Sequence, residues 1–207
     1  YQTGDTTVGN AQAGDVRIIE QNGDNVIDIS DRTIIGNPNP DYTFGINLSV
    51  RYKAFSLSAL VNGVYGNDII NGNLIQMGNA EGLFRNILSD AYHGAWRPEM
   101  PSNSYPRIGY VGNDGPEFLA ISDRYVEDGS YLRLNNITLG YDLPINENNT
   151  IKGANIYLTG QNLFTLTNYS GYDPEITSFM WTGLISGVDW NGPPNSRNVL
   201  IGLNLNF

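Results

Sequence analysis

Cysteine is absent from these 207 residues, and histidine appears once, as His93. Without thiols there is no disulfide framework and no thiolate metal centre, and one imidazole cannot build a His-rich metal site or a two-histidine relay. Basic side chains are also scarce: 11 Lys and Arg stand against 21 Asp and Glu, for a net charge of −10. So acidic a chain lacks the basic surface that phosphate backbones require, which argues against nucleic acid as a partner. No run approaches the roughly 18 apolar residues of a spanning helix, and the start does not read as a signal peptide. A Gly-rich phosphate loop and a serine nucleophile elbow are both missing.

What is present points to a folded chain. Hydrophobic residues make up 40% and charged ones only 15%, which is not the balance of a disordered tail. Asn appears 27 times, Gly 24 and Tyr 13, so apolar residues are spread thinly and regularly. Such spacing arises when every second residue faces an apolar medium.

The alternation is plain over 42–52. Tyr42, Phe44, Ile46, Leu48, Val50 and Tyr52 are apolar or aromatic, and Thr43, Gly45, Asn47, Ser49 and Arg51 between them are not. Val199, Ile201, Leu203, Leu205 and Phe207 repeat the pattern at the C-terminus. Segments 55–65, 131–143 and 154–161 follow it less cleanly. Period two predicts strands, and the longest of these run to 11 residues or more, beyond the usual 5 or 6 of soluble sheets. A tilted strand needs about 9 to 11 residues to cross a bilayer. Aromatics fall near strand ends (Tyr42, Tyr52, Phe55, Tyr65, Tyr131, Tyr141, Phe164 and Phe207), as in the girdles of membrane barrels.

Connection lengths extend the reading. Lys53 and Ala54 form a tight turn and 145–153 a short one, whereas 67–128 and 167–195 are long. Short and long connections alternate, as between the two sides of an outer-membrane barrel. The expected fold is all-β: the C-terminal antiparallel strands of a large transmembrane β-barrel, with long extracellular loops and one loop helix. The expected divisions are an extracellular loop over 1–41, a hairpin over 42–66, a loop over 67–128, a hairpin over 129–166, a loop over 167–195 and a terminal strand over 196–207. Five strands, or six if Asp15–Ile19 pairs, cannot close a membrane barrel, whose known minimum is about eight. An open edge in lipid leaves costly unpaired backbone groups, so the remainder of the barrel is an expected partner. Phe44, Ile46, Leu48, Val50, Val199, Ile201, Leu203 and Leu205 are the expected lipid-facing residues, with Asn47, Ser49, Arg51, Asn204 and Asn206 facing the lumen.

Several stretches resemble one family in its own order. Ser122–Tyr141 (SDRYVEDGSYLRLNNITLGY) followed by Leu143-Pro144 is similar to the penultimate-strand region of SusC/RagA-type TonB-linked outer-membrane transporters, as is Gly160–Glu175 (GQNLFTLTNYSGYDPE). Gly36–Asp41 (GNPNPD), Tyr65–Asp68 (YGND) and Trp96–Glu99 (WRPE) resemble the same family. Terminal Phe207 resembles the assembly signal of outer-membrane barrels. The resemblance implies a 22-stranded barrel with an N-terminal plug and a TonB-contacting segment, and a SusD-like surface lipoprotein as lid. It implies import of oligosaccharides or oligopeptides across the outer membrane of a Gram-negative bacterium, driven through TonB, and no enzymatic activity.

Glu20–Asp31 is a calcium-loop candidate. In the twelve-residue EF-type pattern, oxygen ligands fall at positions 1, 3, 5, 7, 9 and 12. Here these are Glu20, Asn22, Asp24, the Val26 carbonyl, Asp28 and Asp31, with Ile27 as an apolar anchor. Glu replaces Asp at the first position and Asn25 replaces Gly at the sixth; Asn tolerates the left-handed turn that Gly supplies. The plain alternative is an acidic, solvated loop. An ion here would be structural.

Loop aromatics Trp96, Tyr105, Tyr110, Tyr172, Trp181 and Trp190 are candidates for contact with substrate or lipoprotein, since loops carry function. Leu83, Phe84, Ile87, Leu88, Ala91 and Tyr92 have helical spacing and predict a helix within 79–96, with His93 a polar residue on it. That stripe reads as packing before binding. Gly171–Glu175 reads as a turn first, with Asp173 and Glu175 as ligands second. Acidic pairs such as Asp114 with Glu117, or Glu127 with Asp128, could serve as glycosidase carboxylates, but solvated charge explains them better. No residue is assigned as catalytic. A second reading competes: a secreted, calcium-stabilised β-sandwich that binds carbohydrate. It offers no reason for short and long connections to alternate.

Overall fold

Five long strands carry the alternating segments. They are β1 (Tyr42–Tyr52), β2 (Phe55–Tyr65), β5 (Tyr131–Leu143), β6 (Gly153–Thr167) and β8 (Asn198–Asn206), antiparallel in the order β1-β2-β5-β6-β8. In this computed structural model, residues 12–24, 26–78, 86–108, 121–145, 150–175, 185–190 and 192–207 are described. Two compact units divide the chain: one holds 38–68, 128–176 and 192–207, including the sheet, and the other holds 1–37, 69–127 and 177–191.

Register decides which residues share a face, because directly opposed residues project to the same side. Phe44 pairs with Gly63 and Ile46 with Val61; Leu57 pairs with Leu139, Leu139 with Leu158, and Leu158 with Ile201. Following the pairs across all five strands gives one face that is almost wholly apolar. The eight residues expected to meet lipid lie on it and are all exposed. The opposite face carries Asn47, Ser49, Ser58, Asn62, Asn136, Thr138, Thr159, Gln161 and Asn204, with Leu60, Val64 and Leu200 as exceptions.

One bulge keeps the two ends of β5 consistent. Leu132 and Leu134 are even-numbered, whereas Ile137, Leu139, Tyr141 and Leu143 are odd-numbered, so strict alternation would send the two sets to opposite faces. The register shifts between Leu134 and Asn136 against both neighbouring strands, leaving Asn135 as the extra residue opposite β2. Both sets then join the apolar face. Asn162, at φ 52°, marks the matching irregularity in β6.

Aromatic rings mark both ends of this face. Tyr42 stacks on Tyr65 with centroids 5.1 Å apart, and Phe55 lies 4.7 Å from Tyr141. Tyr131 corrects the expected girdle: it pairs with Val64 and Thr167 on the polar face, where Arg133 lies over its ring. From Tyr42 to Tyr52 the strand rises about 34 Å at ~3.4 Å per residue. A tilt of about 40° reduces that to ~26 Å, the height of an outer-membrane apolar band.

The second unit is built differently. β3 (Asp68–Asn71), β4 (Val126–Asp128) and β7 (Val188–Asp189) form a small sheet in the order β4-β3-β7, with β3 parallel to β7. Helix α1 (Gly72–Met77) starts where the Asn71 side chain accepts from the Leu74 amide, and α2 covers Ser89–Gly94. Helix α2 lies within the 79–96 span expected to hold a loop helix, with 86–88 and 95–96 outside the helix, and 79–85, including Leu83 and Phe84, lie outside the described residues. Ala91 is buried in α2 and Tyr92 exposed. Asp15–Ile19 joins no strand, which removes the sixth strand considered from sequence. Small strands within 67–128 escaped the sequence reading because four or fewer residues carry no usable periodicity.

A glycine on the apolar face gives a direct test of register. The Phe44 ring lies across Gly63 where a β-carbon would stand, as when an aromatic covers a strand glycine. Gly63→Val should force the ring aside at a cost of about 1–3 kcal/mol. A lower thermal midpoint is expected for Gly63→Val, and none for Gly45→Ala, whose nearest neighbour atom is 3.5 Å away.

Candidate functional site

At one end of the sheet the polar face carries a buried cation. Arg133 is 2% exposed, and each part of its guanidinium is engaged. Nε donates to Thr165 Oγ1 at 3.0 Å, Nη1 to Glu175 Oε2 at 2.5 Å, and Nη2 pairs with Asp173. Asn195 completes the cluster: its amide donates to Asp173 Oδ2 at 2.9 Å and its side chain to Glu175 Oε2 at 3.0 Å. The connection from β6 to β8 is thus fastened at both ends, by 173–175 and by 195. Partial burial pushes the Asp173 carboxyl up, but the amides of Asn195 and Glu175 and the Arg133 guanidinium outweigh it and hold it below the usual carboxylate range. Asp173 and Glu175 are therefore partners of Arg133 within the chain.

The candidate calcium loop is a tight acidic turn. Glu20 Oε1 accepts from the amides of Asn22, Gly23 and Asp24, and Asp24 Oδ1 accepts from Val26 at 2.7 Å. Asp31 accepts from Gln21 at 2.7 Å and from Asp28 at 2.8 Å; the latter bond and Asp28 itself cap a 3-10 turn over Ile29–Asp31. Those two amides hold the Asp31 carboxyl below its ordinary range. Among the described residues, no three acidic or histidine side chains are gathered closely enough to hold a metal ion. In the described part of this loop the carboxylates accept from backbone amides.

Beside this turn, within the same unit, lies a cleft of about 640 Å³. Ile18, Ile27 and Ile121 supply apolar lining, and Arg17, Arg32 and Asp123 supply charge. The volume falls within the range of small-molecule and peptide sites.

The predicted contact aromatics separate into different environments. Trp96 is buried against Gly14 and is a packing residue, which corrects its assignment as a contact. Trp190 is half-buried against Gly72, near the buried Asp189, to which Asn73 donates at 3.1 Å. Tyr105 is half-buried beneath Arg124, 5.6 Å from its ring centroid. Tyr172 is 69% exposed. Tyr110 and Trp181, with Asp114 and Glu117, lie outside the described residues. Phe207 is exposed and follows the last paired residue, Asn206. Sequence reading missed Arg133, because an arginine in a strand announces no partner; the available signal was its place between Leu132 and Leu134.

A sheet with one continuous apolar face exposed, ringed at both ends by aromatics, is a wall segment of a membrane β-barrel. No family model matches the chain. Its sequence is 33% identical to TonB-dependent receptor P3 of Formosa agariphila over 98% of this chain and 20% of that protein. It is 31% identical to TonB-dependent receptor SusC of Bacteroides thetaiotaomicron over 91% of this chain and 17% of that protein. The solved RagAB peptide importer in its open-open state matches with a TM-score of 0.72 and 28% identity, over 91% of this chain and 20% of that one. The chain is homologous, over nearly its whole length, to part of the SusC/RagA-type TonB-dependent receptors, which are transporters and not enzymes. It spans about a fifth of the length of the relatives it matches. The β-sandwich alternative is overturned by these matches and by the sheet itself, whose apolar face has no second sheet on it among the described residues.

Both acidic sites should respond to pH in one direction. Asp173 and Asp31 are depressed in the folded chain, so their stabilisation is full above the unfolded value of about 3.9 and fades as pH falls through the folded values. Thermal stability should be flat from pH 7 to about pH 5 on their account, then fall below about pH 4. Asp173→Asn should remove part of that acid-side slope in a series of melting curves.

Proposed function

We propose that this chain forms the C-terminal wall and extracellular loops of a TonB-dependent outer-membrane importer in a Gram-negative bacterium. It works with a SusD-like lipoprotein and takes up oligosaccharides or oligopeptides. The observation that carries the reading is the exposed apolar face of β1, β2, β5, β6 and β8, from which Phe44, Ile46, Leu48, Val50, Val199, Ile201, Leu203 and Leu205 project. Lipid is the medium in which that face costs nothing. The outer edges of β1 and β8, unpaired among the described residues, fit strands supplied by the rest of the barrel. Phe207 then serves as the assembly signal, and the plug and TonB-contacting segment belong to the remainder of the receptor.

Oligopeptides are favoured over glycans for two reasons. Three solved neighbours are RagAB peptide transporter structures. The cleft beside the acidic turn has isoleucines and charges of both signs, and the one aromatic among its described lining residues, Tyr105, has its ring under Arg124 instead of free for a sugar.

Leu203→Arg tests the lipid assignment. Near the membrane midplane it should cost about 2–4 kcal/mol. In outer membranes, the folded receptor should shift to a lower temperature of heat-modifiable gel mobility, while Asn204→Arg on the polar face leaves it unchanged. Equal behaviour of the two variants would sink the assignment.

Calcium at Glu20, Asn22, Asp24, Val26, Asp28 and Asp31 is part of the same proposal. The support is the spacing of the oxygens and the turn already formed by Glu20 and Asp31. Binding would require Glu20 and Asp24 to exchange backbone amides for the cation. Extracellular calcium modules bind at roughly 10⁻⁴–10⁻³ M. Millimolar calcium should therefore raise the receptor's melting temperature, and Asp24→Ala should abolish the rise. No shift in wild type would remove the ion.

A further inference from the structure

Most of the charges around the cleft beside the acidic turn are already engaged. Asp15 takes the Arg107 guanidinium at 2.6 Å, Asp31 accepts from the amides of Gln21 and Asp28, and Asp28 Oδ1 accepts from the Ser30 amide at 2.7 Å. Arg124 reaches the Ser104 carbonyl, and Arg32 has partners of its own. Two lining charges of opposite sign remain. Among the described residues, neither the Arg17 guanidinium nor the Asp123 carboxylate has a hydrogen-bond or ion-pair partner.

The walls between these charges are open as well. Residues of Val16–Ile19 and Thr33–Ile35 border the cleft, belong to no helix or strand, and make no backbone hydrogen bond among the described residues. Their amides and carbonyls are available to an added chain, as at an edge to which an extended peptide adds a strand. The apolar lining is aliphatic: Ile18, Ile27 and Ile35 are half-buried and Ile121 is exposed.

These features fit one class of ligand. A short peptide with free ends carries a carboxylate at one end, an ammonium at the other, and amide groups between. A neutral glycan has nothing to pair with Arg17 or Asp123. A metal ion would meet the Asp123 carboxylate but leave Arg17 and the isoleucines without a role.

We propose that this cleft binds short, unblocked oligopeptides, with Arg17 taking the terminal carboxylate, Asp123 the terminal ammonium, and the open backbone of 16–19 and 33–35 the peptide groups between. This rests on the reading of the chain as part of an importer, and it names where that importer recognises peptide ends. Charged ends set specificity as well as affinity, since a capped peptide leaves one of the two charges unmatched.

The test uses the full receptor, purified in detergent, and a synthetic tetrapeptide of alanine and isoleucine in three forms: free at both ends, amidated at the C-terminus, and acetylated at the N-terminus. In titration calorimetry each cap should raise the dissociation constant about tenfold, the size of one charge-assisted hydrogen bond. Arg17→Gln should weaken the free peptide to the level of the amidated one and leave the amidated one unchanged. Asp123→Asn should do the same for the acetylated form. Both side chains are exposed, so neither substitution disturbs packing. A free peptide carrying photoleucine in place of isoleucine should crosslink on illumination within 14–35 or 102–124.

Equal dissociation constants for the three forms would overturn the proposal, as would a cap effect that survives its own variant, or crosslinks confined to other parts of the receptor. Failure of the importer reading shows elsewhere: cells carrying the receptor would then deplete a tryptic peptide mixture no faster than cells lacking it, whatever the purified receptor binds.

Discussion

Backbone hydrogen bonding in a medium without water is the constraint on which the rest of this structure depends. A strand that crosses hydrocarbon must pair every N–H and C=O with a neighbouring strand, since each unmet group costs several kcal/mol. Long, nearly unbroken ladders follow from that: eleven pairs join β1 to β2, and nine join β6 to β8. Once pairing is obligatory, register fixes every side chain to one face or the other. The apolar residues then collect on one side without any sheet or helix packing over them. A soluble domain with so much exposed Leu, Ile and Val would aggregate; in a barrel wall the same exposure is the basis of residence in the membrane.

The two units reach stability by different means. The sheet unit relies on ladders, on cross-strand aromatic pairs such as Tyr42 with Tyr65, and on the Arg133 cluster. Among the described residues of the other unit the buried apolar side chains are Ile69, Ala91, Ala95, Trp96 and Tyr125. Much of its order comes from buried polar groups that satisfy one another. Asn71 caps α1 with its oxygen and donates to Glu127 with its nitrogen at 2.8 Å, and Asp15 takes the Arg107 guanidinium at 2.6 Å. Such networks specify one arrangement because a half-satisfied network is costly. They also leave loop surface free to vary.

Much of the wall was legible in the sequence, because period two is a local signal. The ends of β1 and β2 were readable to the residue, since Tyr42, Tyr52, Phe55 and Tyr65 bound the two runs and Lys53-Ala54 separates them. The second hairpin was bounded at 166 with Phe164 near a strand end, close to the observed end of β6 at Thr167, but the period-two run itself stops at Gln161 because Asn162 interrupts the alternation. Tyr131 was misplaced for the related reason that the bulge at Asn135 changes the parity of everything before it. Among the loop aromatics, sequence could not separate Trp96 from Tyr172. Burial depends on what folds against a ring, and Gly14 lies 82 residues away from the tryptophan it supports.

By itself the amino-acid sequence determined the strand pattern, the apolar face, the tight turn at Lys53-Ala54 and the placement of oxygens through Glu20–Asp31. All are set by neighbours within a dozen positions, through side-chain alternation and local turn chemistry. The tertiary structure decided the strand order, the bulges that reconcile odd and even positions, and the meeting of Arg133 with Thr165, Asp173, Glu175 and Asn195. Those residues are separated by up to 62 positions and carry no mutual spacing rule. Only the pairing of β5 with β6, and the return of the chain toward β8, brings their charges within bonding distance.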